Sequence, residues 1–168
     1  MRCLKERYKL PILILVLFLA IPQCSLFRNI DEDELARRVF DLVNEHRASL
    51  DLNELEWNDT IAAQCRNHSE NMASGDVPVG HSGFDQRTVN IRAKIWFSDI
   101  RENVGFIADI MGMVSPAPYM MDLWLENPGH RASIEGRFNQ SGVGVYANKV
   151  EFYFTQIFIS VPENENPE

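Results

Sequence analysis

The sequence predicts one α+β domain in which helices come first and strands come last. Apolar residues recur at helical spacing in several segments between residues 31 and 126. After residue 141 the period changes, and the stretches GVGVYA and EFYFTQIFIS are rich in β-branched and aromatic residues. This order is typical of a mixed domain whose antiparallel sheet is covered by helices.

Two helices are predicted in the first half of the chain. The first spans about 31–49, since an aspartate at 31 or 33 suits its cap and acidic residues fill its first turn. The second begins after a cap at Asn58 or Asp59 and runs to about Ala73. The glycine- and proline-rich stretch 74–84 then predicts a loop.

Two further helices and a hairpin complete the prediction. A third helix covers about 85–97, and its apolar positions are Val89, Ala93, Trp96 and Phe97. A fourth runs from about Pro116 to Glu126, because proline suits a first helical turn and Pro128 marks the stop. Strands at 142–147 and 151–160, joined at Asn148-Lys149, form the hairpin.

The N-terminus carries a predicted targeting segment. Four basic residues within the first nine positions precede the apolar run LPILILVLFLAIP at 10–22. A basic region followed by an apolar run of this length is typical of an export signal. We therefore expect residues 1–28 to be a signal peptide or a retained N-terminal membrane anchor. The rest of the chain would be secreted or extracytoplasmic, touching a membrane only through this segment.

Composition and cysteine usage restrict the partners and the source of stability. The 168-residue chain has a net charge of −8, and residues 161–168 form an acidic tail. This balance argues against nucleic acid and anionic lipid surfaces as partners. Only Cys65 lies inside the predicted domain, so packing rather than a disulfide framework must stabilise it. Cys65 itself is expected to be a buried small hydrophobe.

Six motifs in order carry a resemblance to a known family. They are NEHRASLDLNELEW, a helix ending in HSENMA, GHSGF at 80–84, ENVGF at 102–106, WLENPGHR at 124–131, and GVGV followed by FYFTQIF. Together they resemble the CAP superfamily, or SCP domain, of cysteine-rich secretory, antigen 5 and pathogenesis-related proteins. The likeness covers about residues 35–160 and is nearest to the short, cysteine-poor bacterial type. It implies a three-layer α-β-α sandwich with a central antiparallel sheet, whose third strand is expected either around 103–107 or elsewhere in the chain.

The resemblance also implies a polar cleft. In animal and plant members two histidines and two glutamates meet there and can hold a divalent metal. His81 matches the first histidine and Glu102 the first glutamate. Tyr153 stands where the second histidine is usual, and Asn127 where the second glutamate is usual. His130, which is common in the bacterial pattern, is the candidate for the missing imidazole, and the Pro-Gly break before it is expected to turn it toward the cleft.

Three interpretations of His81, Glu102 and His130 stay open. Two imidazoles and a carboxylate are a legitimate set for zinc or another divalent metal, with water as the fourth ligand. The same groups would also serve a metal-free cleft that hydrogen-bonds a ligand. Each histidine would otherwise satisfy backbone carbonyls at a chain turn, since buried polar groups need partners. His46 and His68, which lie inside helical patterns, are expected to be structural.

The sequence favours a non-catalytic binding module. No G-x-S-x-G nucleophile elbow and no H-E-x-x-H motif occurs in the chain. We expect a His/Glu cleft lined by His81, Glu102, His130 and Tyr153. Its ligand would be a small molecule, a lipid, a cell-wall component or a protein. The alternative is a divalent-metal-dependent hydrolase that uses the same cleft.

Overall fold

The computed structural model describes residues 31–109, 112, 114–148 and 150–162. The predicted leader at 1–28 lies outside the described residues, as do residues 163–168 of the predicted acidic tail. Within the described residues, no helix combines the length and the apolar character needed to span a bilayer.

Helices in the described residues follow the predicted order, with one addition. Their bounds are α1 Glu32–Ser49, α2 Asp59–Ser74, α3 Phe84–Arg92, α4 Pro116–Glu126 and α5 Pro128–Ile134. The predicted caps are confirmed for the first two helices. The Asp31 carboxylate accepts hydrogen bonds from the N–H groups of residues 33 and 34, and the Asn58 side chain does the same for residues 60 and 61.

Four strands form one sheet in the described part of the chain. They are β1 Glu56–Trp57, β2 Asp99–Ala108, β3 Gln140–Ala147 and β4 Glu151–Ser160, in the spatial order β1-β3-β4-β2. The hairpin of β3 and β4 is confirmed, and β2 pairs antiparallel with β4 over ten residues. The two-residue β1 pairs parallel with β3, so the sheet is mixed rather than wholly antiparallel.

Helices cover both faces of this sheet, which confirms the three-layer α-β-α sandwich. Alternation along β4 divides the core between the two faces. On the face covered by α1 and α4, Phe154 and Phe158 are buried in a cluster with Trp124. On the face covered by α2 and α3, Ile157 and Ile159 are buried in a second cluster.

The third helix differs from the prediction in length and in orientation. It ends at Arg92, and its buried positions are Arg87 and Ile91. Val89 and Trp96, which were expected to face the core, are 59% and 64% exposed. An ion pair between Arg87 and Glu102 of the sheet turns the other side of α3 inward, so Val89 and Trp96 are left at the surface. Phe97, the last position of the predicted stripe, follows the end of α3 and is buried beside Ile91.

Pro128 ends one helix and begins the next. Asn127 follows α4 directly, and its side-chain oxygen accepts hydrogen bonds from the N–H groups of Gly129 and His130 at 2.8 and 3.2 Å. Proline occupies the first position of α5, where its missing N–H costs nothing. The Pro-Gly pair therefore starts a short helix, and His130 lies in its first turn.

The GVGV motif explains how closely α2 approaches the sheet. A Cβ atom added to Gly144 would clash with the backbone of Cys65 and Arg66 in α2. One added to Gly142 would clash with the backbone of Ala62. Helix backbone cannot yield as a flexible side chain does, so glycine is required at both positions.

We expect Gly144→Ala to lower the free energy of unfolding by about 2 kcal/mol or more, because the methyl group overpacks the contact between α2 and β3. Urea unfolding of the full chain measures this. Gly129→Ala is the matched control, since its methyl group meets only the Asn127 side-chain oxygen at 3.2 Å. Equal stability of the two variants would contradict the close packing of α2.

Candidate ligand-binding cleft

An open cleft of about 570 Å³ lies across the edge strand β2. One wall is the loop at 80–83 with the start of α3, and the opposite wall is α5. His81 lines the first wall and His130 the second, and Glu102 of β2 lies between them. The structure therefore places three of the four predicted cleft residues around one hollow, although they are separated by 21 or more positions in the chain.

Glu102 is the buried centre of this cleft. Its side chain is only 1% exposed. Arg87 donates from Nε to Oε2 and from Nη2 to Oε1, both at 2.8 Å, which is the two-pronged geometry that guanidinium and carboxylate groups favour. Burial of a carboxylate is costly without such a partner. Arg87 thus allows a charged group to remain beneath the cleft.

His81 stands above Glu102 and is half exposed. Its Nδ1 donates a hydrogen bond to Glu102 Oε1 at 2.9 Å, because a carboxylate oxygen can only accept. This contact assigns the ring proton to Nδ1. The other ring nitrogen, Nε2, has no hydrogen-bond partner among the described residues. It is available to a ligand.

The loop that carries His81 is fastened from two sides. Arg87 Nη1 donates to the carbonyl of Ser82 at 2.8 Å, and His68 Nε2 donates to the carbonyl of Gly80 at 2.7 Å. Gly80 and Gly83 have φ angles of 146° and 76°, which favour glycine. Backbone conformation and hydrogen bonds therefore hold His81 against Glu102.

His130 contributes the second imidazole from α5. Its carbonyl accepts a hydrogen bond from the buried Asn103 side chain at 3.1 Å, and its ring lies edge-on to Trp124. Burial, and then the nearby His81, lower the pKa of His130 below its usual 6.5. The ring is therefore neutral at pH 7 and presents one donor and one acceptor.

Tyr153 does not line the cleft, although the family pattern places it at a histidine position. In the sheet Glu102 pairs with Ile157, whereas Tyr153 pairs with Phe106. Four residues along a strand correspond to about 13 Å. The tyrosine ring packs on Phe106 with the ring centroids 4.8 Å apart and is buried beside Met72. The prediction of a cleft role for Tyr153 has no support in this geometry.

The cleft residues do not fit the metal-site interpretation. Within the parts of the chain that the structure describes, no three His, Cys, Asp or Glu side chains are grouped so that they could hold a metal ion. Both oxygens of Glu102 already accept hydrogen bonds, and the Arg87 guanidinium places a positive charge against them. A zinc site with three protein ligands needs lone pairs directed at one ion. No reaction step through a metal follows from this arrangement.

Sequence reasoning missed Arg87, which is the main partner of Glu102. A basic residue one turn before Ile91 on a helix that faces the sheet is the signal that marks it. The burial of Arg87 can be inferred from this spacing only when the side of α3 that faces the sheet is known. Arg87 then forms the two-pronged ion pair that offsets the buried Glu102 carboxylate.

Two other histidines and the cysteine have structural environments, as their positions within helices predict. His46 pairs with Glu135 at 2.9 Å and thereby links α1 to the end of α5. His68 supports the loop through Gly80. Cys65 is fully buried beneath β3, and burial raises the pKa of its thiol, so the nucleophilic thiolate is suppressed.

The two lowered histidine pKa values predict a loss of stability in acid. Burial is the main cause of the shift at both His68 and His130. Since the folded pKa lies below the unfolded value of 6.5, the stabilisation is complete above about pH 6.5 and is lost as the pH falls through the folded pKa. Urea unfolding between neutral and acidic pH measures the slope. His68→Gln keeps a donor for the Gly80 carbonyl but cannot titrate. It should therefore reduce the dependence of the free energy of unfolding on pH. An unchanged dependence would show that the titration of His68 does not contribute to the loss of stability in acid.

Removal of Arg87, the ionic partner of Glu102, is expected to destabilise the folded chain strongly. Arg87→Met leaves the Glu102 carboxylate buried without its guanidinium, which typically costs about 3–5 kcal/mol. The double variant Arg87→Met/Glu102→Gln removes the uncompensated charge and should recover part of that loss. Urea unfolding of the wild type, both single variants and the double variant gives the coupling energy. A coupling near zero would show that the two side chains act independently.

Comparison with known proteins agrees with this architecture. The family model described as CAP, the cysteine-rich secretory protein family, matches residues 40–158. No curated protein sequence matches the chain. An outer surface protein from Borrelia burgdorferi is similar in structure, with a TM-score of 0.65, 19% sequence identity, and coverage of 79% of this chain and 97% of that one.

Two further bacterial structures are larger chains, and this chain matches only a part of each. An extracellular protein containing an SCP domain from Bacillus anthracis gives a TM-score of 0.62 at 27% identity over 77% of this chain and 41% of that one. A cysteine-rich secretory protein from Staphylococcus aureus gives 0.60 at 16% identity over 77% of this chain and 39% of that one. Since the family model spans β2, β3, most of β4 and four of the helices, and bacterial SCP proteins share the fold, this chain belongs to the CAP family.

Proposed function

We propose that this CAP-family chain is a non-catalytic binding module that acts outside the cytoplasm. Its ligand enters the cleft between the loop at 80–83 and α5. The observation that carries this proposal is the pair of imidazoles, His81 and His130, on opposite walls of one open hollow. The ligand is drawn from small molecules, lipids, cell-wall components and proteins.

The state of Glu102 supports recognition rather than catalysis. Its two oxygens are held by Arg87 and His81, so the carboxylate orients the His81 ring. Nucleophilic catalysis would need a Ser, Thr or Cys side chain that is hydrogen-bonded to one of the cleft imidazoles as its base. In the described residues no Ser, Thr or Cys side chain is hydrogen-bonded to either cleft imidazole, and Ser133 Oγ donates to the carbonyl of Gly129. The donor set does not fit an ion, so the geometry does not support the metal-dependent alternative.

The extracytoplasmic location has two supports. Structural relatives are described as an outer surface protein and an extracellular SCP-domain protein. The basic and apolar N-terminal sequence is typical of an export signal or of an N-terminal anchor. Both features support a cleft that lies outside the cytoplasm.

The test is a binding screen read at the histidine rings. The full chain, labelled with ¹⁵N in its histidines, is titrated with soluble peptidoglycan fragments, with phosphatidylglycerol vesicles and with mixtures of linear peptides. We expect one class of probe to shift the ring signals of His81 and His130 together, because both line the same hollow. The signal of His46, which pairs with Glu135, should not move.

Matched variants decide whether the shifts report binding in the cleft. His81→Phe and His130→Phe should each weaken binding at least about tenfold, since each removes a hydrogen-bonding ring from a desolvated contact. His46→Phe is the control at a histidine outside the cleft. If no probe moves the His81 and His130 signals, or if the two cleft variants bind as tightly as the control, the proposal is wrong.

A further inference from the structure

The edge of β2 inside the cleft leaves main-chain groups without protein partners. In the described part of the sheet β2 is an edge strand, so only one of its sides pairs with β4. Hydrogen bonding in an antiparallel pair alternates along the strand. The N–H of Asp109 donates to the carbonyl of Val150 at 2.7 Å, which sets the phase of the alternation. The main-chain N–H and C=O groups of odd-numbered β2 residues therefore bond to β4. Those of even-numbered residues point away from β4, toward the open edge of the sheet.

Two contacts confirm this phase. Trp124 Nε1 donates to the carbonyl of Val104 from the open side of the strand, at 3.2 Å. The N–H of Ile100 is bonded to the side chain of Asp99 at 2.8 Å rather than to β4. Ile100 and Glu102 both line the cleft, and hence their outward main-chain groups face the space between its walls.

The exposure of Glu102 also indicates that its main-chain groups are accessible. The whole residue is 8% exposed, whereas its side chain is 1% exposed, so its remaining accessible surface belongs to the backbone. Its N–H and carbonyl, together with the carbonyl of Ile100, have no hydrogen-bond partner among the residues that the structure describes. These three groups lie within about 7 Å along the strand, which is the repeat of an extended chain.

We propose that the cleft binds an extended polypeptide segment that adds to β2 as a further strand. This inference rests on the proposed function and names its ligand class. Main-chain groups of the segment pair with Ile100 and Glu102, and its side chains point alternately to the wall of His81 and to the wall of His130. A donor and two acceptors at strand spacing match another backbone better than they match a lipid chain or a sugar ring.

Charge in the cleft specifies the character of the segment. Glu102 is neutralised by Arg87, and the exposed side chains of Asp99 and Arg101 carry opposite charges on the same strand. The lowered pKa of His130 keeps that ring neutral at pH 7. The cleft is thus close to uncharged in a chain whose net charge is −8. It complements a segment of uncharged polar and small side chains, and the overall charge disfavours an acidic one.

The experiment begins with a displayed library of random linear 12-residue peptides selected against the full chain. Peptides that bind are synthesised, and their main-chain nitrogens are methylated one at a time. Pairing as a strand requires the N–H groups of every second residue. We therefore expect affinity to fall at least about tenfold at alternate positions in the bound stretch and to change little at the positions between. Amide exchange at Glu102 should slow in the complex.

A variant of this chain gives an independent readout with a gain of affinity. Asp99→Ala removes the side chain that occupies the N–H of Ile100 and frees it for the peptide. We expect binding about fivefold tighter, the effect of one additional hydrogen bond. Asp85→Ala, on the exposed side of α3, removes the same charge near the cleft and should leave the affinity unchanged.

The outcomes separate this inference from the proposed function. If no peptide is selected, or if methylation has no alternating effect and exchange at Glu102 is unchanged, strand addition is wrong. Peptides that lack the alternating pattern but lose affinity with His81→Phe leave the binding module standing. Peptides that bind both cleft variants as well as the wild type contradict both proposals.

Discussion

The site depends on one buried ion pair, between Arg87 of α3 and Glu102 of β2. A carboxylate with 1% of its side chain exposed is stable only when an opposite charge and hydrogen bonds compensate the lost water. Arg87 supplies both and also bonds to the loop carbonyl of Ser82, so one guanidinium joins α3, the edge strand and the loop. The orientation of α3, the position of His81 and the shape of one cleft wall follow from that contact.

This pair also changes the chemistry that the family resemblance implies. In a tetrad of two histidines and two glutamates an external cation can balance the acidic groups. Here the cation is a side chain of the protein, and it lies below the carboxylate rather than in the open cleft. The hollow above is left with two imidazoles and an unpaired strand edge. These groups can donate and accept hydrogen bonds.

Local signals in the sequence predicted what local interactions determine. Asp31 and Asn58 cap their helices, and β3 and β4 form the predicted hairpin, because capping and turn chemistry act over a few residues. The buried face of α3 was predicted wrongly, since a contact 15 positions away outweighs the apolar stripe through Val89 and Trp96. The motif alignment placed Tyr153 at a cleft position, but in the sheet Tyr153 pairs with Phe106, four residues along β2 from Glu102. The two-residue β1 is too short to give a periodic signal.

Asn127 shows how a helix boundary restricts the composition of a site. It stands at the position where the family pattern has a second glutamate, and its amide oxygen caps the first turn of α5. A glutamate there would restore a carboxylate, but its longer side chain is a poorer cap, and the turn that presents His130 would loosen. A carboxylate at position 127 would therefore come at the expense of the turn that forms the opposite wall of the cleft.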